Sequence, residues 1–232
     1  MSDWQVLIPI KRLARAKSRL ALPPDQRAAV TLAMLRDVAS AVRACRYVRT
    51  VHVVTEDAGV ARTVDAEHLP AWSVAGEPGL NHELHRAATC LRQSGTRDGI
   101  AVFLGDLPCL TTSVVSDLLL SAPKNRQSFL PDAAGSGTTV LLAPPRIPFA
   151  PFFGEDSADR HARIGTALDC TAERWAARQD VDTLEALDNA IRFGVGDHTR
   201  RWVSAPPAET CPMATPSSGV VTRPPQERDN NP

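Results

Sequence analysis

The 232-residue sequence lacks a net charge, because its 26 basic residues balance its 26 acidic ones. We therefore expect neither a nucleic-acid nor a membrane partner, although a local basic pocket is compatible with this balance. The sequence also lacks any apolar run near the roughly 18 residues that span a membrane, and it begins without the charged and apolar pattern of a leader peptide. These absences predict a soluble, cytoplasmic protein.

Paired cysteine motifs are missing as well. The five cysteines are an odd number, lie far apart and include no Cys-x-x-Cys pair. This usage argues against a disulfide framework or a zinc site, and it is typical of small buried side chains or free thiols in a reducing compartment. The five are Cys45, Cys90, Cys109, Cys170 and Cys211.

The order of apolar segments predicts the fold. Hydrophobic residues make up 43% of the chain, enough for one substantial core. Strand-like runs alternate with amphipathic stretches up to residue 204, which predicts an α/β protein, a three-layer α/β/α sandwich with a mostly parallel sheet. A Gly-Ser-Gly segment between two neighbouring strands indicates one antiparallel insertion. Residues 205–232 hold seven prolines and few large apolar side chains, so we predict a flexible tail after a domain of residues 1–204.

The run from Ile100 to Leu104 is the most apolar candidate strand, and its composition predicts burial on both faces. Asp106 follows directly. Ligands of open α/β sheets bind at the carboxyl ends of strands, so Asp106 is placed to hold a hard cation or a hydroxyl-rich ligand. The alternative is ordinary turn chemistry, with Asp106 capping a helix that begins near Thr111.

A basic loop follows the first predicted strand, Val6 to Ile10. Lysine and arginine side chains suit triphosphate oxygens, as point charges and as bidentate forks respectively. The loop contains no glycine, so neither the Walker nor the dinucleotide fingerprint applies, and a solvated basic surface is the alternative interpretation. Its basic residues are Lys11, Arg12, Arg15, Lys17 and Arg19.

Three further segments carry candidate ligand groups. Asn81 begins a predicted helix, where it is either an N-cap or an amide for the edge of a nucleotide base. Residues 133–139 form a small-residue loop, whose two glycines flanking Ser136 predict either an anion-binding nest or a tight turn. Ser157 is the predicted N-cap of a helix over 158–168, whose N-terminus is a second candidate anion site. We expect His161 to be a polar surface residue.

Asp180 and Asp182 introduce another predicted helix, Leu184 to Phe193. We expect these two acids, at alternate positions, to point to opposite faces of the chain. On that expectation, at most one of them shares a site with Asp106.

Taken together, these stretches resemble the guanylyltransferase family of coenzyme F-420 biosynthesis, whose members act on phosphoenolpyruvate or 2-phospho-L-lactate. The resemblance extends from residue 6 to about residue 195 and implies the nucleotide-diphospho-sugar transferase fold. The matching stretches are residues 8–20, Leu80-Asn81, residues 105–108, Asp132 with residues 135–138, residues 153–157 with His161, and residues 180–183.

The resemblance also implies roles. It implies that GMP passes from GTP to the phosphorylated acid, with release of pyrophosphate. Asp106 and one of Asp180 or Asp182 hold magnesium on this view. The resemblance further assigns GTP to the loop of Lys11, Lys17 and Arg19, with Asn81 as a further nucleotide contact, and the acid to Thr138, Gly154 and Ser157. Lys17 and Arg19 act with Asp106 in catalysis, by stabilising charge on the leaving pyrophosphate.

Two other hypotheses stay open. A sugar-phosphate or molybdopterin nucleotidyltransferase of the same fold predicts a glycine-rich first loop, which is absent here. A non-catalytic nucleotide-binding protein predicts the loss of a metal-binding acid, and these acids are present. The sequence does not separate phosphoenolpyruvate from 2-phospho-L-lactate, and it is silent on the oligomeric state.

Overall fold

The computed structural model describes residues 3–11, 17, 19–67, 69–73 and 79–205. Arg12 and Arg15 of the basic loop lie outside these residues, and so does the predicted tail beyond Ala205. Within the described part of the chain, Cys45, Cys90, Cys109 and Cys170 are free thiols, as expected. No helix in that part is both long and apolar enough to cross a membrane.

Strands and helices alternate through most of the chain, as the sequence predicts. The strands are β1 (Trp4–Ile10), β2 (Val48–Thr55), β3 (Ala71–Ser73), β4 (Gly99–Phe103), β5 (Ser128–Pro131), β6 (Thr138–Ala143) and β7 (Thr166–Ala167). The helices are α1 (Pro24–Arg43), α2 (Ala58–Ala66), α3 (Leu80–Gln93), α4 (Thr112–Ser121), α5 (Ser157–Ala162), α6 (Leu184–Phe193) and α7 (Asp197–Ser204), with a 3-10 helix at Ala172–Ala177.

The strands form one seven-stranded sheet in the order β3-β2-β1-β4-β6-β5-β7. β1 pairs in parallel with β2 and β4, β2 with β3, and β5 with β7. β6 runs antiparallel to both of its neighbours, β4 and β5. The sheet is therefore mostly parallel with one reversed strand, which confirms the predicted fold class. The reversal brings the start of β6 to the same edge as the carboxyl end of β4.

Both faces of the sheet are buried. Every residue of β4 is buried, and its side chains alternate between two cores: Ala101 and Phe103 pack in one, Ile100 and Val102 in the other. The first core includes apolar side chains of α1, α2 and α4, and the second includes those of α3 and residues 149–158. β4 is thus the doubly buried strand that its apolar run predicts.

A third apolar cluster holds the C-terminal segment against the domain. Val181, Leu187 and Val195 pack with Met34 of α1. Asp37, also on α1, caps α7 by accepting hydrogen bonds from the N–H groups of residues 198 and 199, at 2.8 and 2.9 Å. These contacts fix the chain that leads into and out of α6.

One alternative interpretation and one local expectation do not hold. Thr111, not Asp106, caps α4, because the Thr111 side chain accepts from the Val114 N–H at 3.4 Å. Helix α5 ends at Ala162 instead of continuing to 168. The reason is that Thr166 N donates to Gln127 O at 3.0 Å, which begins the pairing of β7 with β5 and takes the chain out of the helix.

Candidate active site

Three carboxylates meet at the carboxyl edge of the sheet. Asp106 lies just beyond the end of β4, and Asp180 and Asp182 lie on the segment that leads into α6. Val181 N donates to Asp106 O at 3.0 Å, so the two segments run side by side. One carboxylate oxygen from each acid lies within 4.8 Å of the others. Asp106, Asp180 and Asp182 together form an acid cluster.

The expectation that Asp180 and Asp182 point to opposite faces was wrong. Residues i and i+2 of an extended chain point to the same face, and only the residue between them points away. Val181 is that residue, and its side chain is buried in the third apolar cluster. Both acids therefore face Asp106.

Lys17 lies between two of the three acids. Its Nζ donates to Asp106 Oδ2 and, at 2.6 Å, to Asp182 Oδ1. The Lys17 side chain is 8% exposed, whereas that of Asp182 is 48% exposed. The ammonium group thus occupies the interior of the acid cluster, instead of facing solvent as a phosphate ligand would.

The pKa values in the cluster follow from this arrangement. Burial, together with the negative charges of Asp106 and Asp182, raises the pKa of Asp180 to about 6. Burial alone would lower the pKa of Lys17, but the Asp106 and Asp182 carboxylates raise it above its ordinary value. Burial opposes the charged form of Asp182 as well. The charge and hydrogen bond of Lys17, together with the charges of Arg19 and Lys11, outweigh the effect of burial, so the pKa of Asp182 is lowered.

These shifts predict a pH dependence of stability. The folded protein keeps a proton on Asp180 up to about pH 6, whereas an unfolded chain releases it near pH 4. The folded state therefore binds more protons between these values, and stability falls as the pH rises through that window. We expect Asp180→Asn, which is neutral throughout, to raise the melting temperature at pH 7 by about 2–5 °C in EDTA.

Thermal melts of both proteins between pH 4 and 7 test this prediction. The difference should shrink as the pH falls from 6 toward 4, because the unfolded chain then also begins to bind a proton at Asp180. Equal melting temperatures at pH 7, or a difference that does not shrink toward pH 4, would contradict it.

The acid cluster fits a divalent cation. Magnesium and manganese prefer hard oxygen ligands, and three carboxylates supply them here. Asp106 Oδ1 is buried and has no hydrogen-bond partner among the residues that the structure describes, so it is free to bind an ion. The carboxylates themselves do not discriminate between the two ions.

The described part of the basic loop lies near this cluster. Lys11 and Arg19 are exposed, and their charges contribute to the lowered pKa of Asp182. Lys17, Lys11 and Arg19 are therefore all within electrostatic reach of the acids. This placement suits the loop for the phosphates of a nucleotide bound over the same edge.

The second group of predicted ligand residues lies beside the start of β6. Ala158 N donates to Ser136 O at 3.0 Å, and Thr138 Oγ1 lies 2.9 Å from His161 Nδ1. The segments 135–138 and 154–157 therefore converge in space. Leu104 N donates to Thr139 O at 3.0 Å, which places Thr138 at the sheet edge that also carries Asp106.

Arg178 connects the two groups. Its guanidinium donates to Pro131 O at 3.0 Å and to Asp132 O at 2.7 Å, and its carbonyl accepts from Ala133 N at 2.9 Å. Arg178 comes two residues before Asp180, whereas Asp132 begins the turn that leads to Thr138. The acid cluster and the Thr138 region are thus fixed to each other through the backbone.

One expectation about this region was wrong, and one pair of alternatives is decided by the hydrogen bonds. Ser157 is not a cap but the first residue of α5, after Asp156, and α5 is only six residues long. The residues 135–137 form a tight turn closed by Asp132, whose Oδ1 accepts from Ser136 N at 3.1 Å. A Cβ at Gly137 would lie 2.3 Å from Asp132 Oδ2, so a larger residue there would displace the carboxylate that closes the turn. The Ser136 N–H is therefore used within the turn.

Asn81 is not an N-cap either, because Gly79 precedes α3 and Asn81 is its second residue. Its amide forms two hydrogen bonds with the Phe153 backbone: Nδ2 donates to Phe153 O at 2.9 Å, and Phe153 N donates to Oδ1 at 2.7 Å. Asn81 thus fixes the approach to Gly154. A contact with a nucleotide base would require this pair to open.

His161 was wrongly expected at the surface. It is fully buried, and burial with the nearby Arg160 charge lowers its pKa to about 4. The sequence offered one signal for this: His161 lies four residues after Ser157, on the same helix face as that candidate ligand.

A seven-stranded, mostly parallel sheet with one reversed strand places the chain among proteins with the nucleotide-diphospho-sugar transferase fold. A provisionally assigned nucleotide-diphospho-sugar transferase from Desulfovibrio desulfuricans has the same fold: its crystal structure superposes with a TM-score of 0.57 at 15% identity, covering 87% of this chain and 99% of that one. The sequence model of the family described as "Guanylyl transferase CofC like" matches residues 4–205, and the chain belongs to that family.

Named relatives agree with this assignment. A phosphoenolpyruvate guanylyltransferase of Streptomyces coelicolor is 40% identical over 204 residues, which are 85% of this chain and 94% of the relative. A phosphoenolpyruvate guanylyltransferase of Salinispora arenicola is 39% identical over 222 residues, 93% of this chain and 97% of the relative.

Proposed function

We propose that the protein transfers GMP from GTP to a phosphorylated three-carbon acid, phosphoenolpyruvate or 2-phospho-L-lactate, and releases pyrophosphate. The observation that carries this proposal is the acid cluster with Lys17 inside it, at the sheet edge that also carries Thr138. The names of the relatives favour phosphoenolpyruvate as the acceptor.

The reaction requires the protein to position GTP and the acid and to neutralise the charge on their phosphates. A phosphate oxygen of the acid forms a bond to the α-phosphorus of GTP, and the bond from that phosphorus to the bridging oxygen of pyrophosphate breaks. No general base is needed, because the attacking phosphate is already an anion. Lys17 and Arg19 stabilise the charge that builds on the leaving pyrophosphate.

Asp106, Asp180 and Asp182 would hold a divalent cation, for which we propose Mg²⁺. When bound, the cation would neutralise phosphate charge and orient the nucleotide. Lys17 forms ion pairs with Asp106 and Asp182, so its contact with pyrophosphate requires it to leave those acids.

Thr138, Gly154 and Ser157 are the proposed acceptor site. The acid carries a phosphate and a carboxylate, so its site must supply hydrogen-bond donors to two anionic groups. Thr138 and Ser157 provide hydroxyl groups, and Gly154 has a φ of 116°, which turns the backbone in a way that favours glycine.

A pyrophosphate-release assay tests the proposal. GTP, ATP and CTP are each combined with phosphoenolpyruvate, 2-phospho-L-lactate and glucose 1-phosphate in the presence of Mg²⁺. We expect release with GTP and one or both acids, and little with the other nucleotides or with the sugar phosphate. Turnover of the sugar phosphate alone would instead support a sugar-phosphate nucleotidyltransferase, and no release in any combination would favour a non-catalytic protein.

A further inference from the structure

His161 is enclosed by aromatic side chains. The rings of Phe129, Phe152 and Phe153 have centroids 5.7, 5.9 and 5.4 Å from that of His161, and His161 is 0% exposed. A buried polar ring is stable only if its nitrogens are hydrogen-bonded. Both ring nitrogens of His161 have such partners.

Those partners determine where the ring proton lies. Phe152 N donates to His161 Nε2 at 2.9 Å, and a backbone N–H can only donate, so Nε2 must carry a lone pair. The pKa of His161 is lowered to about 4, so the ring is neutral near pH 7 and holds a single proton. That proton is therefore on Nδ1.

The position of this proton orients the next group. Nδ1 lies 2.9 Å from Thr138 Oγ1, and the Nδ1–H is shared between that hydroxyl oxygen and the backbone of Ser157. The Thr138 hydroxyl hydrogen then cannot point at His161 and is left for another acceptor. Within the described residues, the bond to His161 is the one hydrogen bond that the Thr138 side chain makes.

We propose that His161 is a positioning residue that fixes the Thr138 hydroxyl as a hydrogen-bond donor to the anionic acceptor. This inference rests on the proposed function, in which Thr138 contacts the phosphorylated acid. The ionised phosphate and carboxylate oxygens of that acid only accept hydrogen bonds. With the opposite tautomer, Thr138 would donate to His161 and would present only lone pairs to the anion.

NMR of the wild-type protein with ¹⁵N-labelled histidine tests the tautomer without any substrate. The His161 ring signals are identified by their loss in His161→Gln. We expect a protonated Nδ1 and an unprotonated Nε2 from pH 6 to 8. A proton on Nε2, or an imidazolium ring at pH 7, would overturn the proposal whatever the acceptor is.

A double-mutant cycle tests the action through Thr138. Thr138→Val should raise the KM of the acid about ten-fold or more, the size expected for a hydrogen bond to an ionised group, and leave the KM of GTP nearly unchanged. His161→Phe should likewise raise the KM of the acid and leave the KM of GTP nearly unchanged. The double variant should resemble Thr138→Val alone, because His161 has nothing left to orient.

The proposal would be contradicted if the two single-variant increases in the KM of the acid multiplied in the double variant. It would also be contradicted if the KM of GTP rose as much as that of the acid. Thr138→Ser keeps the hydroxyl group and should restore most of the affinity for the acid. Thermal melts check that each variant folds, and His161→Gln replaces His161→Phe if the latter does not. Failure of the proposed function would appear separately, as no pyrophosphate release by the wild type.

Discussion

Replacing Asp106 with asparagine should lower kcat for GMP transfer roughly a thousand-fold while leaving the protein folded. The substitution keeps the shape of the side chain and removes one negative charge from the acid cluster. Losing a charged ligand of a catalytic cation costs several kcal/mol in the transition state, and each 1.4 kcal/mol is a factor of about ten in rate. The measurement is kcat from pyrophosphate release at saturating GTP, acid and Mg²⁺.

Asp188→Asn is the matched control for this change. Asp188 is an exposed acid on α6, six residues beyond Asp182, so the same substitution there should leave kcat near the wild-type value. If Asp106→Asn keeps more than about a tenth of the wild-type rate, Asp106 is not a cation ligand. Thermal melts of both variants distinguish a lost ligand from a damaged fold.

Most of the scaffold could be predicted from the sequence, because local patterns determine it. The run from Ile100 to Leu104 is apolar throughout, and it forms a strand buried on both faces. Helix α6 spans Leu184–Phe193 as expected, since Thr183 caps it by accepting from Ala186 N at 3.1 Å and its apolar residues repeat with the helical period. In both cases the signal lies within a dozen neighbouring residues.

The site could be predicted only in part, because its contacts join residues far apart in the chain. The sequence located Asp106 and the basic loop at strand ends and the other acids at a helix start, but the bonds from Lys17 to Asp106 and Asp182 span 89 and 165 residues. No local pattern indicates that a lysine enters the acid cluster. The spacing of His161 from Ser157 was the only sequence signal for its burial, because the burial depends on rings from Phe129 and from the neighbouring Phe152 and Phe153.

Replacing Lys17 with methionine should have two opposite effects. We expect it to tighten the binding of Mn²⁺ to the nucleotide-free protein about ten-fold or more, and to lower kcat for GMP transfer about a hundred-fold. The first effect arises because Lys17 Nζ, 2.6 Å from Asp182 Oδ1 and also bonded to Asp106, lies where a cation must enter. The second follows from the proposed mechanism, in which Lys17 stabilises the charge on the leaving pyrophosphate.

The first effect follows from electrostatics. In the wild type a cation must displace the nearly buried ammonium group of Lys17. The attraction between such a charge and one carboxylate at about 4 Å is around 4 kcal/mol at an effective dielectric constant near 20. Methionine has a similar length and no charge, so the three carboxylates then repel one another until a cation binds. Titration of free Mn²⁺ by electron paramagnetic resonance measures the affinity directly and requires no turnover.

Arg19→Met removes the same charge from the same loop, but Arg19 is exposed and screened by solvent. We expect it to change Mn²⁺ affinity less than about three-fold, which separates the local effect of Lys17 from a general change in charge. The double variant Lys17→Met/Asp106→Asn should lose the added affinity, because the cation then finds one carboxylate fewer. Unchanged or weaker Mn²⁺ binding in Lys17→Met would show that Lys17 and the cation do not compete. The ammonium group would then be a permanent part of the cluster, and the cation would bind to Asp180 and Asp182 beside it.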